Sequence, residues 1–121
     1  MSRPRIAMNG AGSLVFCKTL VSDILATPAL ADADIRLMSR TEGKTRQMAD
    51  FVQRMISTNQ LSATVSMTTD RRTALKDADY VICMIQIGGV EAFRHDYEIP
   101  MKHGVDQCIG DSLGPGGIFR G

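Results

Sequence analysis

Short apolar runs alternate with longer amphipathic stretches along the chain. Apolar and β-branched runs of strand length lie at residues 4–9, 35–38, 63–67 and 79–85. Helical spacing of apolar residues lies at 14–25, 43–57, 70–75 and 91–102. The run 79–85 is continuous, which is typical of a strand buried on both faces. Strands that alternate with helices predict an α/β fold, a Rossmann-like doubly wound parallel sheet, incomplete at about four to five strands.

The predicted helices carry recognisable ends and faces. Ser13 and Asp70 precede helices and are predicted N-caps. The helix over 43–57 has one apolar face, which consists of Met48, Phe51, Val52, Met55 and Ile56. The helix over 91–102 contains Pro100, which is expected to end or kink it.

A glycine turn lies between the first predicted strand and the first predicted helix. Gly10, Ala11, Gly12 and Ser13 form this turn, and such a turn suits dinucleotide binding. The first glycine permits the tight turn, the second lets the backbone approach a pyrophosphate, and the helix N-terminus offers free amides. The third glycine of the fingerprint is replaced by Val15, so a tight turn without a ligand remains the alternative.

The second part of a dinucleotide fingerprint is an acid at the end of the second strand, which binds the ribose hydroxyls of NAD. Ser39 and Arg40 occupy that place here. A serine and an arginine can instead hold the 2′-phosphate of NADP, since the arginine counters its charge. The alternative is that Arg40 is a solvated turn residue.

Composition narrows the function classes. Hydrophobic residues make up 44% of the 121 residues, and 14 basic against 13 acidic residues leave a net charge of +1. The small charge argues against a nucleic-acid partner, and no apolar run approaches membrane-spanning length. Three scattered cysteines and no apparent signal peptide predict reduced thiols and a cytoplasmic protein.

The last residues, 107–121, are rich in glycine and are predicted to form a loop. Loops of this kind normally lie between a strand and a helix that hold them. This predicts that residues 1–121 are one NAD(P)-binding Rossmann-type domain, the front part of a larger enzyme.

Several stretches together resemble the NAD-dependent glycosidases of glycoside hydrolase family 4, particularly the α-galactosidase and α-glucosidase branch. The similar stretches include residues 6–16, 25–38, 69–81, 86–89, 96–100 and 110–120. The last of these, Gly-Asp-Ser-Leu-Gly-Pro-Gly-Gly-Ile-Phe-Arg, is among the most specific, whereas the glycine turn alone also fits lactate and malate dehydrogenases.

The resemblance implies an NAD cofactor, a divalent metal, usually Mn²⁺, and an unusual glycoside hydrolysis. In that mechanism the sugar C3 hydroxyl is oxidised by hydride transfer to NAD. The C2 proton then becomes acidic, the glycosidic bond is eliminated, water adds and hydride returns. The metal polarises the developing carbonyl.

The resemblance also assigns roles to residues beyond the first turn. Ile87, Gly88 and Gly89 would line the nicotinamide side of the cofactor site. Asp111 would be catalytic and would contact the substrate from a loop that closes on cofactor and sugar, and Arg120 would help to bind the substrate. Ser39 departs from the aspartate that is usual in the family.

No metal ligands are predicted in this chain, because the family's cysteine and histidine ligands lie further along. Cys17, Cys83 and Cys108 are predicted on a helix, a buried strand and a loop, and they lack metal-ligand spacing. His95 and His103 are interpreted as solvated helix residues. Asp96 and Glu98, two apart on a helix, face different ways and are interpreted as surface charges.

Two function classes remain open. The first is the cofactor-binding part of a family 4 glycosidase that binds a nucleotide, binds sugar only when completed and is inactive by itself. The second is a stand-alone NAD(P)-binding module without enzymatic activity. Because the fourth strand would be an exposed edge, a homodimer or larger assembly is expected.

Overall fold

The computed structural model describes residues 3–106 and 114–120, which form two compact units, Met1–Ile85 and Gln86–Gly121. The strands are β1 (Arg5–Asn9), β2 (Asp34–Met38), β3 (Thr64–Thr68) and β4 (Tyr80–Cys83). The helices are α1 (Leu14–Ala26), α2 (Glu42–Thr58), α3 (Arg71–Leu75), α4 (Gly89–Lys102) and α5 (Pro115–Arg120). The strands form one parallel sheet in the order β3-β2-β1-β4, which confirms the predicted α/β fold.

One face of the sheet carries the core. Parallel pairing aligns Ile6 with Ile35, and Met8 with Leu37, so these four side chains point to the same side. The helices α1 and α2 cover that side and contribute the buried residues Cys17, Val21, Leu25, Met48, Val52 and Ile56. The amphipathic face predicted for α2 is therefore the buried one.

The opposite face of the sheet is more polar and is covered by α3. Arg36 and Ser66 pair across β2 and β3 on this face. Ala74 in α3 is 2% exposed, and α3 packs against these two strands. Helices therefore lie on both faces of the sheet, as in a doubly wound Rossmann-type fold.

The prediction that the fourth strand is buried on both faces is wrong. Tyr80 and Val81 point to opposite faces and are 60% and 53% exposed, and Cys83 is exposed as well. Among the described residues, β4 pairs with β1 alone, whereas α3 packs against β1, β2 and β3. The apolar run is therefore an edge strand in the described sheet, and its uncovered side chains account for the difference.

The buried thiol of Cys17 lies in the core cluster between α1 and the sheet. Burial raises the pKa of this thiol to about 11. A thiol with a raised pKa stays protonated near neutral pH, so Cys17 acts as a small apolar core residue rather than as a nucleophile or metal ligand.

Asp70 is the N-cap of α3, as predicted. Its carboxylate accepts hydrogen bonds from the backbone amides of Arg72 and Thr73 at 3.2 and 3.0 Å, and also from the Thr73 hydroxyl. These bonds, the Thr73 hydroxyl first, hold the pKa of Asp70 below its ordinary value near 3.8. The folded state therefore favours the ionised carboxylate.

We expect Asp70→Asn to remove one acid-sensitive contribution to stability. Because the pKa of Asp70 is lower in the folded state than in the unfolded state, its ionised carboxylate stabilises the fold above pH 3.8. This stabilisation is lost as the pH falls through the folded-state pKa. Asparagine keeps a capping oxygen but cannot titrate in this range. Urea unfolding of both proteins between about pH 2 and 6 measures the difference; a difference that does not change over this range would contradict the prediction.

The second unit contains α4 and α5, which pack against each other. The helix α4 ends at Lys102, as predicted, and it continues through the buried Pro100, which does not end it. Glu98 accepts a hydrogen bond from Arg94 at 2.6 Å, and this contact lowers the pKa of the Glu98 carboxyl. A β-carbon on Gly116 in α5 would lie 2.2 Å from the Asp96 carbonyl oxygen, so glycine is required where α5 meets α4.

Candidate cofactor site

The glycine turn joins β1 to α1 and is tied to the end of β2. The amides of Gly10 and Ala11 both donate to the Met38 carbonyl oxygen, at 2.9 and 3.0 Å. The Ser13 amide donates to the Gly10 carbonyl oxygen at 3.1 Å and closes the turn. Gly10 has φ +90°, a backbone conformation that favours glycine. The turn is therefore fixed at the carboxyl ends of the parallel strands, where α/β proteins bind ligands.

The end of β4 closes the other side of the turn. A β-carbon on Gly10 would lie 2.2 Å from the Met84 carbonyl oxygen and 2.7 Å from its carbon. The Met84 amide in turn donates to the Asn9 carbonyl oxygen at 2.8 Å. Backbone therefore meets backbone at Gly10 with no space for a side chain, which explains the first glycine of the fingerprint.

The start of α1 faces this turn without an acidic partner. Ser13 is the N-cap residue by backbone conformation, but its hydroxyl makes no capping hydrogen bond, and the first turn of α1 contains no acid. The amides that begin a helix have no acceptor within the helix, and the helix dipole places partial positive charge there. This end of α1 is therefore suited to a phosphate or pyrophosphate.

Ser39, the first residue after β2, lies beside this turn, and Arg40 follows it in the chain. A β-carbon on Gly12 would lie 3.2 Å from the Ser39 hydroxyl oxygen, so the second glycine and Ser39 are in direct proximity. The Ser39 hydroxyl accepts a hydrogen bond from the Thr41 amide at 3.2 Å. Arg40 is exposed.

Lys44 is a further basic residue that begins beside this turn and that sequence reasoning missed. Its β-carbon would lie 3.9 Å from a β-carbon on Gly12, although the two residues are far apart in the chain. Lys44 lies in the first turns of α2, the helix that follows Ser39 and Arg40. Its position in the sequence could have revealed it, because the first turns of the helix that follows β2 lie close to the glycine turn.

The remaining predicted site residues lie in the second unit. Gly88 has φ +82° and caps α4, and Gly89, with φ +61°, begins that helix, while Ile87 is 62% exposed. Their predicted place beside the nicotinamide stays a prediction. Asp111 lies outside the described residues, and Arg120 is the last residue of α5, so their predicted catalytic and substrate-binding roles also stay predictions.

The described residues provide no metal centre. No three histidine, cysteine or acidic side chains within residues 3–106 and 114–120 lie close enough to hold one ion. His95 lies 3.8 Å from Glu91 on the exposed side of α4, which agrees with its interpretation as a solvated residue. No helix within these same ranges is long and apolar enough to span a membrane.

Comparison with known proteins decides the family. The model of the family 4 glycosyl hydrolases matches residues 5–121. The chain belongs to this family. The described sheet, with the glycine turn at the carboxyl end of its first strand, therefore lies within the part of the chain that matches this family.

Two α-galactosidases are among the relatives. The chain is 42% identical over 121 residues to an α-galactosidase of Rhizobium meliloti, covering all of this chain and 25% of that protein. It is 34% identical over 117 residues to an α-galactosidase of Bacillus subtilis, covering 96% of this chain and 27% of that protein. The chain thus spans about a quarter of the length of these relatives.

Solved structures of a 6-phospho-β-glucosidase share the fold. The 6-phospho-β-glucosidase of Thermotoga maritima, solved with NAD and glucose-6-phosphate, matches with a TM-score of 0.74 and 30% identity. The match covers 96% of this chain and 27% of that one. A second structure of that enzyme, with a TM-score of 0.72 and 30% identity, contains manganese, NAD⁺ and glucose-6-phosphate. It covers 93% of this chain and 27% of the other.

Proposed function

We propose that this chain binds a nicotinamide dinucleotide at the turn formed by Gly10, Ala11, Gly12 and Ser13. The observation that supports it most is the close approach at Gly10, where a β-carbon would lie 2.2 Å from the Met84 carbonyl oxygen. The uncapped, acid-free start of α1 suits a pyrophosphate. The structurally similar Thermotoga maritima enzyme was solved with NAD.

We further propose that the whole protein hydrolyses α-galactosides or α-glucosides by oxidation and elimination. Identity of 42% to an α-galactosidase supports the α-galactoside class. When bound, NAD would supply the hydride acceptor for oxidation of the sugar at C3, where the carbon would give up a hydride and its hydroxyl a proton to leave a ketone. The glycine turn would hold the pyrophosphate and so orient the cofactor, with Ile87, Gly88 and Gly89 beside the nicotinamide. Asp111 and Arg120 would contact the sugar.

The binding proposal predicts that Ser13→Asp separates stability from affinity. Aspartate is a good N-cap, so the free energy of unfolding should stay equal or rise. Its carboxylate would also occupy the position where a pyrophosphate accepts the helix amides, so we expect the Kd for NAD⁺ to rise by roughly tenfold or more. Calorimetric titration of the chain and the variant with NAD⁺ measures both affinities.

Gln53→Glu is the matched control for the added negative charge. Gln53 is exposed on α2, outside the predicted site, and the substitution changes the net charge by the same amount. We expect it to leave the Kd unchanged. Equal weakening by both variants would show a general charge effect, and no saturable binding to the unmodified chain would contradict the proposal itself.

The alternative function is a binding module without enzymatic activity. The exposed edge of β4 favours it, because an edge strand can pair with another chain. An assay with an aryl α-galactoside, NAD⁺ and Mn²⁺ separates the two functions. Release of the aryl group by the whole protein supports the glycosidase, whereas binding of NAD⁺ by the whole protein without release supports the module.

A further inference from the structure

The segment that follows β2 carries positive charge where an NAD site carries an acid. Ser39 is the first residue after β2, Arg40 follows it before α2 begins, and Lys44 lies in the first turn of α2. An acid at this place binds the ribose 2′-hydroxyl of NAD and repels a 2′-phosphate. Serine has no charge, so the repulsion is absent here.

The one acid within residues 39–44, Glu42, is paired with a base. Glu42 accepts a hydrogen bond from Arg46 at 2.6 Å, one turn further along α2. Arg40 and Lys44 are both exposed, and the β-carbon of Lys44 lies beside Gly12. The charge that this segment offers to a ligand is therefore positive.

The Ser39 hydroxyl can also contact a ligand bound beside this segment. Its oxygen lies 3.2 Å from the β-carbon position of Gly12 and accepts the Thr41 amide at 3.2 Å. The hydroxyl proton is not used by that bond, because the oxygen is the acceptor. A phosphate oxygen can accept this proton, and the planar guanidinium of Arg40 can donate two parallel hydrogen bonds to the same group.

We propose that this site selects the 2′-phosphorylated dinucleotide, NADP⁺, over NAD⁺, through Ser39, Arg40 and Lys44. The inference rests on the proposed function, since it concerns the same turn. It sets this chain apart from its relative of Thermotoga maritima, which was solved with NAD.

The test is calorimetric titration of the chain with four probes: NADP⁺, NAD⁺, 2′,5′-ADP and 5′-ADP. We expect NADP⁺ to bind roughly tenfold more tightly than NAD⁺, and 2′,5′-ADP to show the same advantage over 5′-ADP. The two shorter probes isolate the 2′-phosphate, because they contain no nicotinamide. An equal or tighter Kd for NAD⁺ overturns the inference.

Three variants assign the preference to residues. Arg40→Ala should weaken NADP⁺ roughly tenfold and leave NAD⁺ unchanged. Ser39→Asp should reverse the order, because a carboxylate accepts the ribose hydroxyls and repels the phosphate. Arg54→Ala, at an exposed position later in α2, is the control and should change neither Kd. Equal weakening of both nucleotides by Arg40→Ala would contradict the assignment.

The outcomes keep this inference separate from the proposed function. Tight NAD⁺ binding without an advantage for NADP⁺ leaves the proposed cofactor site intact and overturns only the selectivity. Absence of saturable binding for all four probes overturns both, since no dinucleotide site would then exist.

Discussion

Replacing Gly10 with alanine is expected to lower the free energy of unfolding by about 3 kcal/mol or more. The new β-carbon would lie 2.2 Å from the Met84 carbonyl oxygen, which is backbone and cannot rotate away. The φ of +90° adds strain for any residue with a β-carbon. Separation of β4 from the turn would relieve the clash, so dinucleotide affinity should fall together with stability. Urea unfolding and calorimetry measure the two effects.

Gly43→Ala is the control for this substitution. Gly43 lies in the first turn of α2, and a β-carbon there would meet no atom within 4 Å. Alanine is the better helix former, so we expect stability to stay equal or rise by up to about 1 kcal/mol. Similar losses of unfolding free energy in the two variants would show that the close approach of Gly10 to Met84 does not cause the destabilisation.

The local sequence was sufficient to predict the first βαβ unit. Residues 4–9 and Gly10 to Ser13 carry strong signals, since a short apolar run, a glycine turn and a helix cap follow one another. The helix over 43–57 was predicted within one residue at each end, because its apolar residues recur on one side only. Where the period and the ends agree, local sequence fixes the element.

The buried side of α1 could not be predicted in the same way. Apolar residues occur all round this helix, so periodicity does not distinguish its sides. The structure buries Cys17, Val21 and Leu25, while Val15 and Phe16 are 73% and 67% exposed. Which side faces the sheet depends on tertiary packing.

The error at β4 has the same physical origin. A continuous apolar run shows that a strand can be buried on both faces, but not which elements cover it. The proximity of Lys44 to Gly12 is likewise a tertiary fact, created by the pairing of β1 with β2 and by the direction of α2. The sequence therefore predicted the glycine turn and Ser39, and missed this lysine.

Leu37 lies at the centre of the core, and its side chain is fully buried. It stands in a row of cross-strand neighbours, between Met8 on β1 and Met67 on β3. Because such a residue is enclosed on all sides, its neighbours cannot move far enough to fill the cavity that a smaller side chain would leave. The packing of α1 and α2 on the sheet depends on this row.

Leu37→Ala is expected to lower the free energy of unfolding by about 2–5 kcal/mol, through lost burial and the remaining cavity. Leu14→Ala removes the same atoms from a side chain that is 48% exposed, and we expect it to cost less than about 1 kcal/mol. Urea unfolding of both variants measures the contrast. Equal losses would mean that Leu37 is not enclosed as described, and that the core does not extend from α2 through β2 to β1.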